Sequence, residues 1–294
     1  MIAPALRFQS VSKNFQNIVA LDHISIDVPS NSIFGLLGPN GSGKSTLMRI
    51  LAGLIKSWDG KISISGENYS SSTKDFINKL GFLIEAPSFY EYLSAIENLK
   101  ILSRLTTLNN VGIKEALEIV NLTNRGNDKV KTYSYGMKQR LGLAQCLLHD
   151  PEMLILDEPN NGLDPSGIRE MSKIINNLHN RGKTICVSTH ILSEVDTLCT
   201  HAAILKKGKH IATVKLDDDY HSNTTYLLNT ANATNCNKIL STDTAFELKL
   251  IDDNSLIIKT KSQNAFNLIQ NKVSKIEKIH SITKQSNLIE YFDD

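Results

Sequence analysis

The stretch GPNGSGKST, residues 38–46, sets Gly38, four further residues, then Gly43, Lys44 and Ser45 in the order that a phosphate-cradling turn requires. Glycines let the turn point its backbone N–H groups inward, so Asn40, Gly41, Ser42 and Gly43, together with a helix start, can hold phosphate oxygens. Lys44 would then reach the β- and γ-phosphates, Ser45 would ligate Mg²⁺, and Thr46 would hydrogen-bond the α-phosphate. The chain is expected to bind a nucleoside triphosphate.

MLILDEP, residues 153–159, supplies a second element of such a site. Four apolar residues put Asp157 at the carboxyl end of a buried strand, where it can hold Mg²⁺ through a water, and Glu158 is the candidate for polarising the attacking water. STH, residues 188–190, ends another apolar run and brings His190 to a strand's carboxyl end, where α/β sheets place their ligands. In YSYGM, residues 133–137, Ser134 is a good helix N-cap and Gly136 permits close backbone approach, which together make an anion site. The chain's own glycine loop already serves one nucleotide. A second phosphate-binding helix start therefore points to another protomer's nucleotide.

These residues need elements to position them. SIFGLLG followed by KSTLMRILAGLI reads as a buried strand, a loop and a helix. Short alternating runs over residues 5–35 predict antiparallel strands, residues 91–149 are mainly helical in pattern, and buried strands return at MLILDEP, TICVSTH and AAILKKG. The alternation predicts an α/β domain with a mainly parallel sheet. The polar, acidic KLDDDYHSN at 215–223 is suited to a linker, and beyond it the order β-α-β-β-α-β predicts a small ferredoxin-like domain.

Composition narrows the class. Of 294 residues 41% are hydrophobic and 21% charged, as in a globular protein, and a net charge of +2 gives no electrostatic case for nucleic acid as a partner. No secretory signal is visible at MIAPALRFQS and no apolar run approaches the roughly 18–20 residues needed to span a bilayer. Cys146, Cys186, Cys199 and Cys236 have no metal-ligand spacing and are expected to be buried reduced thiols in a cytoplasmic chain.

With these motifs in order, residues ~5–215 resemble the ATPase subunits of ABC (ATP-binding cassette) transporters. YSYGM stands where that family has its LSGGQ signature, with KQRL following. NNGLDP, residues 160–165, resembles the D-loop, whose aspartate would be Asp164, and STH resembles the switch histidine. Phe15 lies where the family stacks a ring on adenine. The resemblance implies a P-loop NTPase cassette over residues 1–215, comprising a mainly parallel sheet, an antiparallel β subdomain and a helical subdomain at about 88–150. A small C-terminal α+β ferredoxin-like domain would occupy 216–294. It also implies ATP and Mg²⁺ as cofactors and a head-to-tail dimer in which each ATP lies between one P-loop and the other signature. A separately encoded membrane-spanning permease would be the further partner, and the location the cytoplasmic face of the cell membrane.

Tyr135 and Met137 depart from the signature's first glycine and its glutamine, while Ser134 and Gly136 remain. In LIEAP, residues 83–87, Glu85 replaces the family's glutamine, a residue that reaches Mg²⁺ and the attacking water. IEAP followed by FYEYLSAIENL resembles the subgroup associated with bacitracin resistance and lantibiotic self-protection. A carboxylate oxygen serves a hard cation as an amide oxygen does, so Glu85 is expected at the site. The expected function is ATP hydrolysis driving export of a lantibiotic or other peptide antibiotic. Export of a drug, lipid or ion would use identical motifs. A non-transport cassette acting on ribosomes or DNA fits less well, since the chain carries one cassette, no heptad insertion and near-neutral charge.

Overall fold

Two long strands open the chain. β1 (Leu6–Phe15) and β2 (Ile18–Val28) pair antiparallel, and β1 pairs on its other side with β4 (Asp59–Ile64), to give the order β2–β1–β4–β5 once β5 (Glu67–Asn68) is added. The register slips at Phe8/Val11, Val11/Lys13 and Lys13/Asn14, with Ser10 at φ 49°. Bulges of this kind interrupt the two-residue alternation, which is why the sequence reads as short runs where the structure has strands of 10 and 11 residues. In this computed structural model residues 3–69, 79–104, 112–262 and 265–292 are described.

A second, six-stranded sheet carries the motifs. β3 (Ile33–Leu37), with all five residues buried, runs into α1 (Lys44–Leu51). β6 (Leu80–Leu83), β7 (Met153–Asp157), β8 (Thr184–Thr189), β9 (His201–Lys206) and β10 (Lys209–Lys215) complete the order β10–β9–β3–β8–β7–β6. β3 is parallel to both β8 and β9, and β7 to both β6 and β8. Parallel pairing brings the carboxyl ends of β3, β7 and β8 to one edge, where Gly38, Asp157 and Thr189 begin their loops. α1 buries Leu47, Met48, Ile50 and Leu51 in a core that includes Leu21, Ile24, Phe34 and Leu36. Each such side chain contributes about 1.5–3 kcal/mol of burial, which fixes the helix start against the sheet.

Between β6 and β7 lie α2 (Ala95–Ser103), α3 (Ile113–Ile119) and α4 (Tyr135–Leu147). A capping box starts α2, Ser94 Oγ accepting from Glu97 N and the Glu97 carboxylate accepting from Ser94 N. Asp164 caps α5 (Pro165–Asn180), with proline in its first turn, and α6 (Leu192–Leu198) follows β8.

The chain divides into two compact units, Met1–Val214 and Lys215–Asp294. Within the second, the acidic stretch expected as a linker instead forms α7 (Asp218–Ser222), because Asp217 Oδ1 accepts from Tyr220 N at 3.3 Å and caps it. β11 (Thr224–Thr230), α8 (Ala233–Leu240), β12 (Glu247–Leu250), β13 (Ser255–Thr260), α9 (Ala265–Val273) and β14 (Ile279–Gln285) give a four-stranded sheet of order β12–β13–β11–β14, every pair antiparallel. Ala233, Cys236 and Leu240 of α8 and Ala265, Ile269 and Val273 of α9 pack with Leu228, Leu256 and Ile258 of the sheet. This is the β-α-β-β-α-β arrangement with both helices serving one core.

All four cysteines are free and buried, and burial pushes the Cys146 and Cys186 thiols up to about 12. No helix among the described residues is long and apolar enough to cross a membrane.

Candidate functional site

The loop after β3 is pressed closely to its surroundings at Gly38 and Gly43, where no side chain fits. A Cβ on Gly43, which has φ 107°, would lie 2.7 Å from Leu21 Cδ2 and 2.9 Å from the Ala20 carbonyl oxygen. On Gly38 it would lie 2.2 Å from the Leu205 carbonyl oxygen. The loop thereby delivers Lys44, only 4% exposed, to the first position of α1. Lys44 Nζ donates to the carbonyls of Gly38 (2.7 Å) and Pro39 (3.2 Å) and stands 4.0 Å from Glu158 Oε1. Burial pushes the ammonium below its ordinary value, with Glu158 and Asp157 pulling the other way.

Asp157 Oδ1 accepts from Ser45 Oγ at 3.2 Å and from Ser188 Oγ at 2.5 Å. Ser188 Oγ in turn accepts from Glu158 N at 2.9 Å, so the serine staples the end of β7 to β8. Glu158 adopts φ 47°, a conformation that costs a non-glycine residue about 1–3 kcal/mol. It carries its carboxylate to within 4.0 Å of Lys44 Nζ and 3.3 Å of His190 Nδ1. The turn bearing His190 is held by Thr189, whose Oγ1 donates to Glu194 Oε2 at 2.7 Å and accepts from Ile191 N at 3.1 Å.

A cleft of about 270 Å³ lies between Phe15, Ile18, Val19 and Ala20 on one side and residues 40–46 on the other, with Glu158 at its end. Phe15 is 44% exposed, with Lys13 Nζ 4.8 Å from its ring centre. A somewhat larger cleft, about 360 Å³, lies at the opposite, amino-terminal ends of β7 and β8, where Lys79, Arg181 and Lys183 are among the lining residues and Lys183 is held by Asp150 and the Pro151 carbonyl. The smaller cleft holds the glycine-loop residues and Glu158.

The site's chemistry fits a nucleotide and a hard cation. Ser42 Oγ is buried with no hydrogen-bond partner among the described residues, and Lys44 donates its hydrogen bonds to its own loop's carbonyls, with Glu158 no closer than 4.0 Å. Both groups gain from an anionic oxygen placed over the loop. Ser45 and Asp157 offer adjacent oxygens, a donor type that suits Mg²⁺. Among the described residues no group of three or more His, Cys, Asp or Glu side chains could hold a metal ion, so phosphate oxygens and water would have to complete its shell.

Phe15, Asn40, Gly41, Ser42, Gly43, Lys44, Ser45, Thr46 and Glu158 line one cleft, Asp157 joins them through Ser45, and His190 through Glu158. Four expected residues stand outside the cleft. Ser134 caps α4 by accepting from Met137 N at 3.3 Å, and Gly136 follows it in the first turn. Asp164 accepts from Ser166 Oγ (2.9 Å) and Gly167 N (3.0 Å), which hold its carboxyl below the usual range. Glu85, at φ 67° and 66% exposed, pairs with Arg49 at 2.6 Å. Ser188 and Arg49 are the partners that sequence reasoning missed. Ser188 stands inside the STH motif, where a hydroxyl two residues before the histidine was the available signal.

A buried strand, a glycine loop ending on a buried lysine, and a neighbouring strand ending in two carboxylates define a P-loop nucleotide-binding domain. Residues 21–161 match the family model described as ABC transporter. The chain is 42% identical over 224 residues to the bacitracin transport ATP-binding protein BcrA of Bacillus licheniformis, covering 76% of this chain and 73% of that one. It is 39% identical over 212 residues to the lantibiotic transport ATP-binding protein SrtF of Streptococcus pyogenes, covering 72% and 91%. A solved structure of an ATP-binding subunit of an ABC transporter matches with a TM-score of 0.64 at 28% identity, over 74% of this chain and 92% of that one. The chain belongs to the ATP-binding subunits of ABC transporters.

Proposed function

We propose that this subunit hydrolyses ATP to drive export of a peptide antibiotic, a lantibiotic or a bacitracin-like molecule, as an immunity or resistance function. The observation that carries the hydrolytic reading is the position of the Glu158 carboxylate, between the buried ammonium of Lys44 and the imidazole of His190. The cargo reading is supported by the bacitracin and lantibiotic transport relatives.

In this reading the loop 40–46 binds the phosphates and Phe15 stacks on the adenine. Glu158 accepts the proton of the attacking water as its oxygen adds to the γ-phosphorus and the bond to the β–γ bridging oxygen breaks, releasing ADP and inorganic phosphate, and His190 orients that water. Ser45 and Asp157 would hold Mg²⁺, joined by Glu85 once its carboxylate leaves Arg49, and the ion would supply charge neutralisation on the phosphate oxygens. Ser134, Gly136 and Asp164, lying outside their own chain's cleft, serve the nucleotide of a second copy in a head-to-tail dimer. The subunit works against the cytoplasmic face of the membrane, docked on a separately encoded permease, with no role for nucleic acid.

The test is a pull-down of tagged Glu158→Gln protein from detergent-solubilised native membranes with ATP, followed by mass spectrometry. A polytopic membrane protein is expected, and cells lacking the subunit should become sensitive to lantibiotics or bacitracin. Ribosomal or repair proteins without a membrane partner would refute the transport reading. An unchanged antibiotic panel with a membrane partner present would move the cargo to a drug, lipid or ion.

A further inference from the structure

The residue that replaces the signature's first glycine has a specific seat in the fold. Tyr135 opens α4, is 46% exposed, and its phenolic oxygen accepts from Nε2 of the buried Gln139 at 2.8 Å, one turn further on. The ring rests on Gly162, whose φ is 75°. A Cβ there would stand 3.1 Å from Tyr135 Cε1, tight enough that the ring must give by a few tenths of an ångström, and 3.5 Å from Cζ, an ordinary contact. Beside this contact, a Cβ on Gly136 would meet Leu163 Cδ2 at 3.4 Å. The loop under the ring is short and hydrogen-bonded to the strand end, with Asn161 N donating to the Glu158 carbonyl at 3.0 Å and Leu163 N to the Asn160 carbonyl at 3.1 Å. Further along the same pair of helices, Arg140 Nη1 of α4 donates to Glu170 Oε1 of α5 at 2.8 Å. The ring therefore ties α4 to the segment that leads from Glu158 into α5, and the Arg140–Glu170 pair joins the two helices further along.

We propose that Tyr135 is a positioning residue: its ring, seated on Gly162, clamps the start of α4 to the loop at 160–163. The helix start bearing Ser134 and the strand end bearing Glu158 then move as one body when two copies meet. A bulky residue at 135 and a bare one at 162 are thus a matched pair. The second half of the inference rests on the head-to-tail reading proposed above, and the clamp itself does not.

The test has two arms, both on the full chain. In the first, amide hydrogen exchange is followed without nucleotide. Tyr135→Ala should raise exchange of the Asn161 and Leu163 amides about five-fold or more. Tyr135→Phe, which keeps the ring and loses only the Gln139 bond, should stay within about two-fold. Unchanged exchange at 161 and 163 in Tyr135→Ala overturns the clamp. In the second arm, ATP-driven dimerisation of Glu158→Gln protein is measured by light scattering. Gly162→Ala should raise the ATP concentration for half-dimerisation by about ten-fold, and adding Tyr135→Ala should recover the part of that loss owed to the ring, because the methyl then has room, and leave the part owed to the left-handed backbone. A double variant no better than Gly162→Ala alone assigns the cost to the left-handed backbone and overturns the matched pair. If Glu158→Gln protein without either change fails to dimerise, the head-to-tail reading falls and the first arm decides the clamp.

Discussion

Arg49 Nη2 donates to Glu85 Oε1 at 2.6 Å, and Arg49 stands one helical turn beyond Ser45 on α1. The carboxylate in the place of the family's glutamine is thus held by the very helix that presents Ser45. Both partners are exposed, 41% and 66%, so the pair adds no more than about 1 kcal/mol to stability. Glu85→Gln is expected to leave thermal unfolding nearly unchanged and to shift the Mg²⁺ dependence of ATP hydrolysis by about three-fold or more. A Mg²⁺ titration that superimposes on wild type would make Glu85 a surface charge with a neighbour.

Glu158→Gln keeps the side chain's shape and removes its basicity. Turnover should fall by about 10²–10⁴-fold, with nucleotide affinity retained. Single-turnover hydrolysis at the wild-type rate would remove Glu158 from the role of base.

Lys44 is desolvated, its hydrogen bonds go to its own loop's carbonyls, and its nearest carboxylate, Glu158, stands at 4.0 Å, so desolvation outweighs what the ammonium gains in the nucleotide-free protein. Lys44→Met should weaken ATP binding by about 100-fold or more, equivalent to about 2.7 kcal/mol, without lowering the unfolding temperature of the nucleotide-free protein. Retained affinity in a fluorescent-nucleotide titration would refute the phosphate contact.

Gly142 lies in α4 where a Cβ would meet Leu83 Cδ1 and Pro87 Cβ and Cγ, all at 2.9 Å. Gly142→Ala should destabilise the protein by about 1–3 kcal/mol, read as a lower denaturant midpoint, because Pro87 and β6 must move. An unchanged midpoint would mean that the loop around Glu85 yields freely.

Ser94 N and Oγ hold the Glu97 carboxyl below its ordinary value of 4.5. A carboxylate depressed on folding contributes stability that is present above its unfolded value and lost as pH falls through the folded one. The stability gap between wild type and Glu97→Ala should therefore be constant from neutral pH down to about pH 5 and narrow below it. A gap independent of pH down to the acid transition would show that Glu97 acts by packing alone.

The parts of the site legible in the sequence were those whose chemistry needs neighbours in the chain. A phosphate loop must be contiguous, so Gly38 to Thr46 announces itself, and Asp157 closes an apolar strand run in the chain, so its place at a strand end does too. Partners brought together by folding leave no such mark. Ser188 meets Asp157 because β7 and β8 pair in register, and Arg49 meets Glu85 across 36 positions. Tyr135 reads in the sequence only as a departure from the signature, because its seat on Gly162 is made by folding. In the second unit alternation survived well enough to give the order of elements, whereas the acidic 215–223 stretch concealed a helix whose only signal was the Asp217 cap.

Strand order also has a consequence for synthesis. β3 and its glycine loop emerge from the ribosome early, yet the strands flanking β3 are β8 and β9, which end at Thr189 and Lys206. The loop leans on Leu205 and Gly208, far downstream. A nascent chain halted before these residues would carry the complete phosphate motif with nowhere to seat it. The cassette therefore becomes competent late and all at once, and a ribosome-bound fragment ending near residue 180 should show no affinity for nucleotide.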